Sequence, residues 1–215
     1  MEHSIRYITK VEQSRIESLY SENKEELSAY VERLLWWNTK INLVSRDVSR
    51  ETLKKHVRHC LYVSLFESYQ KSDFFVDTGS GGGLPGLPLS LCFKNKQFEV
   101  NDIVSKKVFA VNDMILGLNL SGRVRGRHGD VREMSWDKEA IIITKHAFKI
   151  DQLYSMVEEK NWNKIIFLKG YEEAVDEAKS LKDSFKLSII KLDDKFMDPF
   201  YEGKGVVELS RSADE

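Results

Sequence analysis

Cysteine is scarce in this chain: Cys60 and Cys92 are its only two, too few for a metal-binding set or a disulfide framework. Both read as buried apolar residues of a protein kept in a reducing compartment. Long apolar runs are missing as well. No segment approaches the ~18 apolar residues of a membrane span, and Met1 to Ser14 carries no apolar stretch of the signal-peptide kind. No repeat, low-complexity tract or interdomain linker interrupts the 215 residues, a length that suits one α/β domain with a small extension. The expectation is a cytoplasmic monomer with no membrane partner and no bound metal.

Net charge is also nearly absent, at −1, but the charges are segregated. Lys40 to His59 holds six Lys/Arg against two acids, and Ile103 to Arg132 repeats that balance, whereas Asp151 to Glu202 holds twelve acids against eight Lys/Arg. A neutral chain sorted in this way can turn a basic face toward phosphates. Solvated helix faces would give the same pattern.

Glu22 to Trp37 places Leu27, Tyr30, Val31, Leu34 and Leu35 on one helical face. A second helix is expected over Ser49 to Phe66, with the polar joint Asn38 to Ser45 between them. From Asp73 onward, short β-rich runs alternate with amphipathic helices. The runs are Phe74 to Asp77, Phe98 to Asp102, Val124 to Gly126, Ala140 to Thr144, Lys164 to Lys169, Phe185 to Leu192 and Gly205 to Ser210. Strand alternating with helix implies a doubly wound parallel sheet. The last two strands are joined by a loop too short for a helical crossover, so they should pair antiparallel. Such a Rossmann-like, seven-stranded α/β sheet resembles that of class I methyltransferases. A division at residues 1–70, a helical extension, and 71–215, the main domain, follows.

The first of these strands runs into Asp77-Thr-Gly-Ser-Gly-Gly-Gly-Leu-Pro-Gly86. Five of the twelve glycines of the chain fall between 79 and 86, a density that points past a plain turn to backbone approached closely by a ligand. Two templates fit. Gly81 to Gly86 matches the dinucleotide pattern G-x-G-x-x-G, a weak signal alone. Asp77 to Gly83 matches D-x-G-x-G-x-G, typical of S-adenosylmethionine (AdoMet) enzymes. A carboxylate at Asp77 would repel a pyrophosphate, whereas the sulfonium and ammonium of AdoMet welcome it. AdoMet is therefore the expected cofactor, held by Asp77, Gly79, Ser80, Gly81, Gly83 and Leu84. Asp102, ending the second strand, is placed to take ribose hydroxyls. Asp130 follows the third strand, near the expected adenine.

These residues, with Trp37-Asn38-x-Lys40-Ile-Asn42-Leu43-x-Ser45, Lys55-His56, Asp102-x-x-x-Lys106-Lys107, Ala147-Phe148 and Leu168-Lys169-Gly170, resemble the RsmG family, also called glucose-inhibited division protein B. The Leu-Pro-Gly-x-Pro-Leu extension of the glycine turn is its most specific part, and the resemblance runs over roughly residues 24 to 210. It implies methylation of N7 of a guanine in 16S ribosomal RNA, on the rRNA itself or the 30S subunit. Four positions depart from the family pattern: His59 and Cys60 stand in place of Asp-Ser, and Lys145 and His146 in place of Ser-Arg. A relative of the same fold acting on another RNA or a small molecule stays open, as do a nicotinamide oxidoreductase and a non-catalytic AdoMet-binding module.

N7 of guanine offers an in-plane lone pair and has no proton to lose, so such a transfer asks for positioning and no general base. The absence of an obvious catalytic dyad agrees with that chemistry. Asn42, His56, Lys145, His146 and Lys169 are expected to bind the base and its phosphates, with Lys145 also expected as a cofactor contact. Lys55, Lys106, Lys107 and the alternating Arg123, Arg125 and Arg127 are expected on RNA phosphates, and Trp36 and Trp37 offer rings for base stacking.

Overall fold

Apolar β-rich runs become buried strands because a parallel sheet covered on both faces needs side chains that shed water on both sides. The computed structural model describes residues 2–181 and 185–211. In chain order it contains β1 (Glu2–Tyr7), α1 (Lys10–Glu22), α2 (Lys24–Asn38), α3 (Arg50–Leu61), α4 (Glu67–Lys71), β2 (Phe74–Thr78), α5 (Gly86–Cys92), β3 (Gln97–Asp102) and α6 (Ser105–Gly117). There follow β4 (Val124–His128), β5 (Ala140–Lys145), α7 (Ile150–Val157), β6 (Trp162–Gly170), α8 (Tyr171–Ala178), β7 (Phe185–Lys191) and β8 (Lys204–Arg211). A 3-10 turn, Tyr62–Leu65, continues α3. Among the described residues, no helix is long and apolar enough to cross a membrane.

The strands form one sheet in the order β1-β7-β8-β6-β5-β2-β3-β4. All neighbours are parallel except the pairs that β8 makes with β6 and β7, where Phe167 and Ile189 both face Val207 in register. The seven expected strands are present, with the expected antiparallel pair. The sheet nevertheless has eight strands, because Glu2–Tyr7 adds to the edge beside β7 in parallel, from Glu2↔Lys186 to Tyr7↔Lys191. Residues 1–70, expected as a helical extension, thus also carry a strand. That strand has no apolar run, and Ile5 and Tyr7 are half exposed, as suits an edge. Its exit is held by a capping box in which Thr9 and Glu12 exchange hydrogen bonds at 2.9 and 3.2 Å, with Arg6 paired to Glu12 at 2.6 Å.

The three isoleucines of β5 show how the sheet is covered. Ile141 and Ile143 point into the core shared with Leu27, Tyr30, Leu53, Val57, Leu87 and Val111, beneath α2, α3, α5 and α6. Ile142 points the other way, toward Ile150, Leu153 and Ala174 of α7 and α8. Strand alternation therefore builds a three-layer stack, and α2 and α3 share a core with the central strands.

Candidate active site

The carboxyl ends of β5, β2, β3 and β4 lie side by side, and β2 meets β5 where the chain order reverses, the crevice in which α/β sheets bind ligands. A buried polar chain ties these ends together. Thr144 Oγ1 donates to Thr78 O at 2.9 Å, Thr78 Oγ1 donates to Asn101 Oδ1 at 2.9 Å, and Asn101 Nδ2 donates to Gly129 O at 2.9 Å. Each of these groups sits where an unpaired polar atom would be costly. Single threonines and asparagines at strand ends gave no sequence signal for this connection, which depends on register.

The glycine turn rises from the end of β2. Gly79, Gly81 and Gly83 take φ of +68°, +57° and +87°, the left-handed region that favours glycine. The turn is gripped by the chain itself from three directions. Tyr30 donates to Gly82 O at 2.9 Å, and a Cβ at Gly82 would stand 2.5 Å from Leu34 Cδ1. A Cβ at Gly81 would stand 3.1 Å from Leu43 O, and one at Gly79 would stand 2.6 Å from Ala147 Cβ. The polar joint after α2 therefore lies directly on the turn. Asn38, not singled out for any role from sequence, shapes that joint by accepting from Leu43 N and Val44 N at 2.9 and 3.0 Å. Asn42 on the same joint is exposed, with its Oδ1 taking Arg46 Nε at 3.1 Å. Ser80 and Leu84 are buried within the turn.

Asp77 lies differently from the expectation of a carboxylate displayed beside the turn. It is fully buried, Oδ2 accepts Gly86 N–H at 2.7 Å, and Oδ1 has no partner. Burial raises its pKa to about 8 from the ordinary 3.8, against the pull of the Gly86 hydrogen bond. The unfolded chain loses this proton near 3.8 while the folded protein keeps it until about 8, so this group's contribution to stability is lost across that window as pH rises. Asp77→Asn should therefore gain on the wild type between pH 5 and pH 8 in urea unfolding. Parallel pH profiles for the two proteins would contradict that.

Asp102, at the end of β3, is almost completely buried, with Oδ2 accepting Gly81 N–H and Oδ1 accepting Val104 N–H, each at 2.9 Å. It joins the glycine turn to the start of α6. Each oxygen keeps a further lone pair, as the acceptor of a ribose diol requires. Lys107 Nζ stands 3.9 Å from Oδ2. Asp130 pairs with Arg132 at 2.6 Å, and that hydrogen bond holds its pKa low. A glycine turn with positive φ, an acid at the end of the adjoining strand and a second acid after β4 thus fit a ribose-bearing cofactor such as AdoMet.

On the other side of β2 the site is basic. Lys145 Nζ lies 3.2 Å from His56 Nδ1 on α3, and the ring centroids of His59 and His146 are 6.1 Å apart. Lys145, expected on the cofactor, thus stands among the histidines. Burial, followed by Lys145 and His146, lowers His56 to about 3. Burial and the cations Lys145, Lys204 and Lys169 lower His146 to about 4, an effect reduced by screening because its ring is open to water. His146 takes φ +52°, uncommon away from glycine and frequent at functional sites, and its N–H donates to Leu168 O at 3.1 Å.

Lys169, at the end of β6, is buried and ion-paired to Glu177 of α8, which also accepts Ile150 N–H at 2.9 Å. Together with His146 and Phe148 these two residues line a cavity of about 250 Å³.

The basic residues expected on RNA divide. Lys106 and Arg125 are exposed. Lys55 pairs with Asp198 at 2.9 Å, Arg127 pairs with Glu99 at 2.9 Å, and Arg123 donates to Ser90 O. Trp36 is 56% exposed, whereas Trp37 donates to Asp113 at 2.8 Å.

Comparison with known proteins follows the same outline. The O-methyltransferase from Bacillus cereus in complex with SAH superposes with a TM-score of 0.55 at 13% identity, covering 91% of this chain and all of that one. Human methyltransferase 10 domain containing protein gives 0.55 at 10% identity, covering 89% and 98%. At such identities the likeness concerns the fold, that of class I methyltransferases. By sequence, the chain is 35% identical over 150 residues to ribosomal RNA small subunit methyltransferase G of Chlorobium phaeobacteroides, covering 68% of this chain and 66% of the relative. It is 34% identical over 148 residues to that of Pelodictyon phaeoclathratiforme, covering 68% and 64%, so the match spans just under two thirds of each relative. With the protein of Chlorobium luteolum the identity is 31% over 196 residues, 87% and 81% of the two chains. The family profile described as rRNA small subunit methyltransferase G matches residues 23–199, and the chain belongs to that family.

Proposed function

We propose that this protein is an AdoMet-dependent methyltransferase that modifies N7 of a guanine in 16S ribosomal RNA, acting in the cytoplasm as a monomer on the rRNA or the 30S subunit. The observation that carries this reading is Asp102, at the end of β3, hydrogen-bonded to Gly81 of the glycine turn that follows β2, in a chain of this family. Bound AdoMet supplies a methyl group activated by its sulfonium. Asp102 would receive the ribose hydroxyls, Asp130 would serve the adenine end, and Gly79, Ser80, Gly81, Gly83 and Leu84 would hold the cofactor along the turn. Asp77 supports that turn from beneath.

The transfer needs no proton removed, and the site agrees. Burial and then neighbouring cations hold His56 neutral and draw His146 in the same direction, so they act through hydrogen bonds and shape. Asn42, His56 and His146 orient the guanine, which must leave its stack to arrive. Lys169, tied to Glu177, closes the wall beside His146. Residues 71–215 hold the cofactor, and the joint and α3 of residues 1–70 cover the substrate side. Lys55, Lys106, Lys107, Arg123, Arg125 and Arg127 give the RNA a basic approach, in which Lys106 and Arg125 are the exposed members.

Asp102→Asn should weaken AdoMet binding by about 1–3 kcal/mol, read by calorimetry, since a charge-assisted acceptor becomes a neutral one. Unchanged affinity would remove the ribose role. RNA affinity should fall steeply as salt rises if phosphates meet the basic approach, and a flat salt profile would count against it. The decisive assay incubates the protein with labelled AdoMet and 30S subunits from a strain lacking its own enzyme, then maps the modified base. Label on guanine N7 supports this reading. A second reading, a methyltransferase of the same fold with another acceptor, is motivated by the four departures from the family pattern, and label on a different RNA in the same assay would favour it.

A further inference from the structure

His59 is completely buried, and neither ring nitrogen has a hydrogen-bond partner. A neutral imidazole has one donor and one acceptor, and leaving both unmet inside a protein is costly, so the ring calls for a polar occupant. Its surroundings define which kind. Lys145, His146, His56 and Lys204 each act electrostatically on His59. From α3 come His56, His59 and Cys60, from the end of β5 Lys145 and His146, and from the start of β8 Lys204. The thiol of Cys60 is neutral, pushed up to about 12 by burial.

No carboxylate among the described residues pairs with Lys145 or Lys204. Of the acids nearby, Asp198 pairs with Lys55 and Glu177 with Lys169, Asp193 accepts from the Tyr171 hydroxyl and Gly203 N–H, and buried Asp77 keeps its proton. Lys204 donates to Phe200 O and lies 4.5 Å from the centre of the Phe200 ring, contacts that supply no counter-ion. A lysine sharing a histidine nitrogen at 3.2 Å, with no counter-ion, marks a region of positive potential that an anion would relieve. The four departures from the family pattern, 59, 60, 145 and 146, are far apart in sequence and meet at this one place.

We propose that the pocket between α3, the end of β5 and the start of β8 binds a phosphate, and that its occupant is the phosphodiester of the RNA nucleotide presented for methylation. This rests on the methyltransferase reading above for the RNA, though not for the phosphate. Lys145, His56 and exposed His146 face the phosphate, and buried His59 lies behind them. The cofactor's own carboxylate is the other oxyanion that could reach a basic pocket. The cofactor acids Asp102 and Asp130 follow β3 and β4, across β2 from these residues, which favours the substrate phosphate.

The test is nuclear magnetic resonance of the imidazole nitrogens in the intact protein, with exposed His128 of β4 as internal control. Inorganic phosphate should shift the ring signals of His56, His59 and His146 saturably and leave His128 unmoved. A guanine-containing RNA trinucleotide should do the same, while its uncharged methylphosphonate counterpart should not. Lys145→Gln should raise the phosphate concentration for half-saturation by roughly tenfold with AdoMet affinity unchanged. Rings that respond to AdoMet alone and not to phosphate would assign the pocket to the cofactor carboxylate and overturn the proposal. Equal response of His128, or none from any ring, would overturn it as well, and so would a response to inorganic phosphate without one to the trinucleotide. Because the wild-type titrations require no methyl transfer, they can succeed even if the rRNA assay fails.

Discussion

Gly79→Ala is expected to destabilise the protein by about 2–5 kcal/mol, from about 1–2 for an L-residue in the left-handed region and about 1–3 for overpacking. The backbone there takes φ +68°, and the new Cβ would meet Ala147 Cβ at 2.6 Å and Phe148 Cε2 at 2.8 Å. Neither contact yields easily. Ala147 Cβ is fixed to its own backbone, so relief requires moving the segment after β5, which carries His146. The effect should therefore appear twice, as a lower urea midpoint and as altered chemical shifts at His146. Gly122→Ala is the matched control, because a Cβ there meets nothing within 4 Å, and it should stay within about 0.5 kcal/mol of wild type. If Gly79→Ala were equally silent, the close packing of the turn against residues 147 and 148 would be wrong.

Lys169→Ala should cost about 3–5 kcal/mol, because it strands a buried carboxylate. Glu177 would keep only the Ile150 N–H in a place where its side chain is 15% exposed. Replacing both partners, Lys169→Met with Glu177→Gln, should recover most of that loss, since no unpaired charge remains. Equal stability for Lys169→Ala and wild type would refute the ion pair. Loss of methyl transfer in Lys169→Ala alone would not identify a contact with the base, so the informative activity measurement is on Lys169→Arg, which retains the charge. Low activity in a Lys169→Arg protein of normal stability would point to a direct contact.

The buried strands were legible because runs such as Phe74-Phe75-Val76 and Ile141-Ile142-Ile143 have no other economical place than a covered sheet. Glu2–Tyr7 was not, since an edge strand needs only one neighbour and its polar residues carry no period. Asp102 could be placed from its position after β3, but Asp77 could not be oriented, because a residue ending a strand faces either the ligand or the helix layer. The same limit applies to Arg127, whose partner Glu99 lies on β3, where only the observed register brings the two together. The basic pocket escaped notice as a unit because its members come from three elements spread over most of the chain. His56, Lys145 and His146 could be grouped at the substrate side, but His59 and Lys204 carry no sequence signal that joins them to it.

The parallel pairing of β1 with β7 bears on the order in which the chain becomes ordered during synthesis. β1 is synthesised long before its partner, Lys186 to Lys191. Glu2–Tyr7 must wait, and β7 itself is paired on its other side with β8, the strand that follows it. The β1 edge of the sheet therefore closes only once β7 has emerged, and a nascent chain stalled before β7 would hold its central strands while Glu2–Tyr7 remained unpaired.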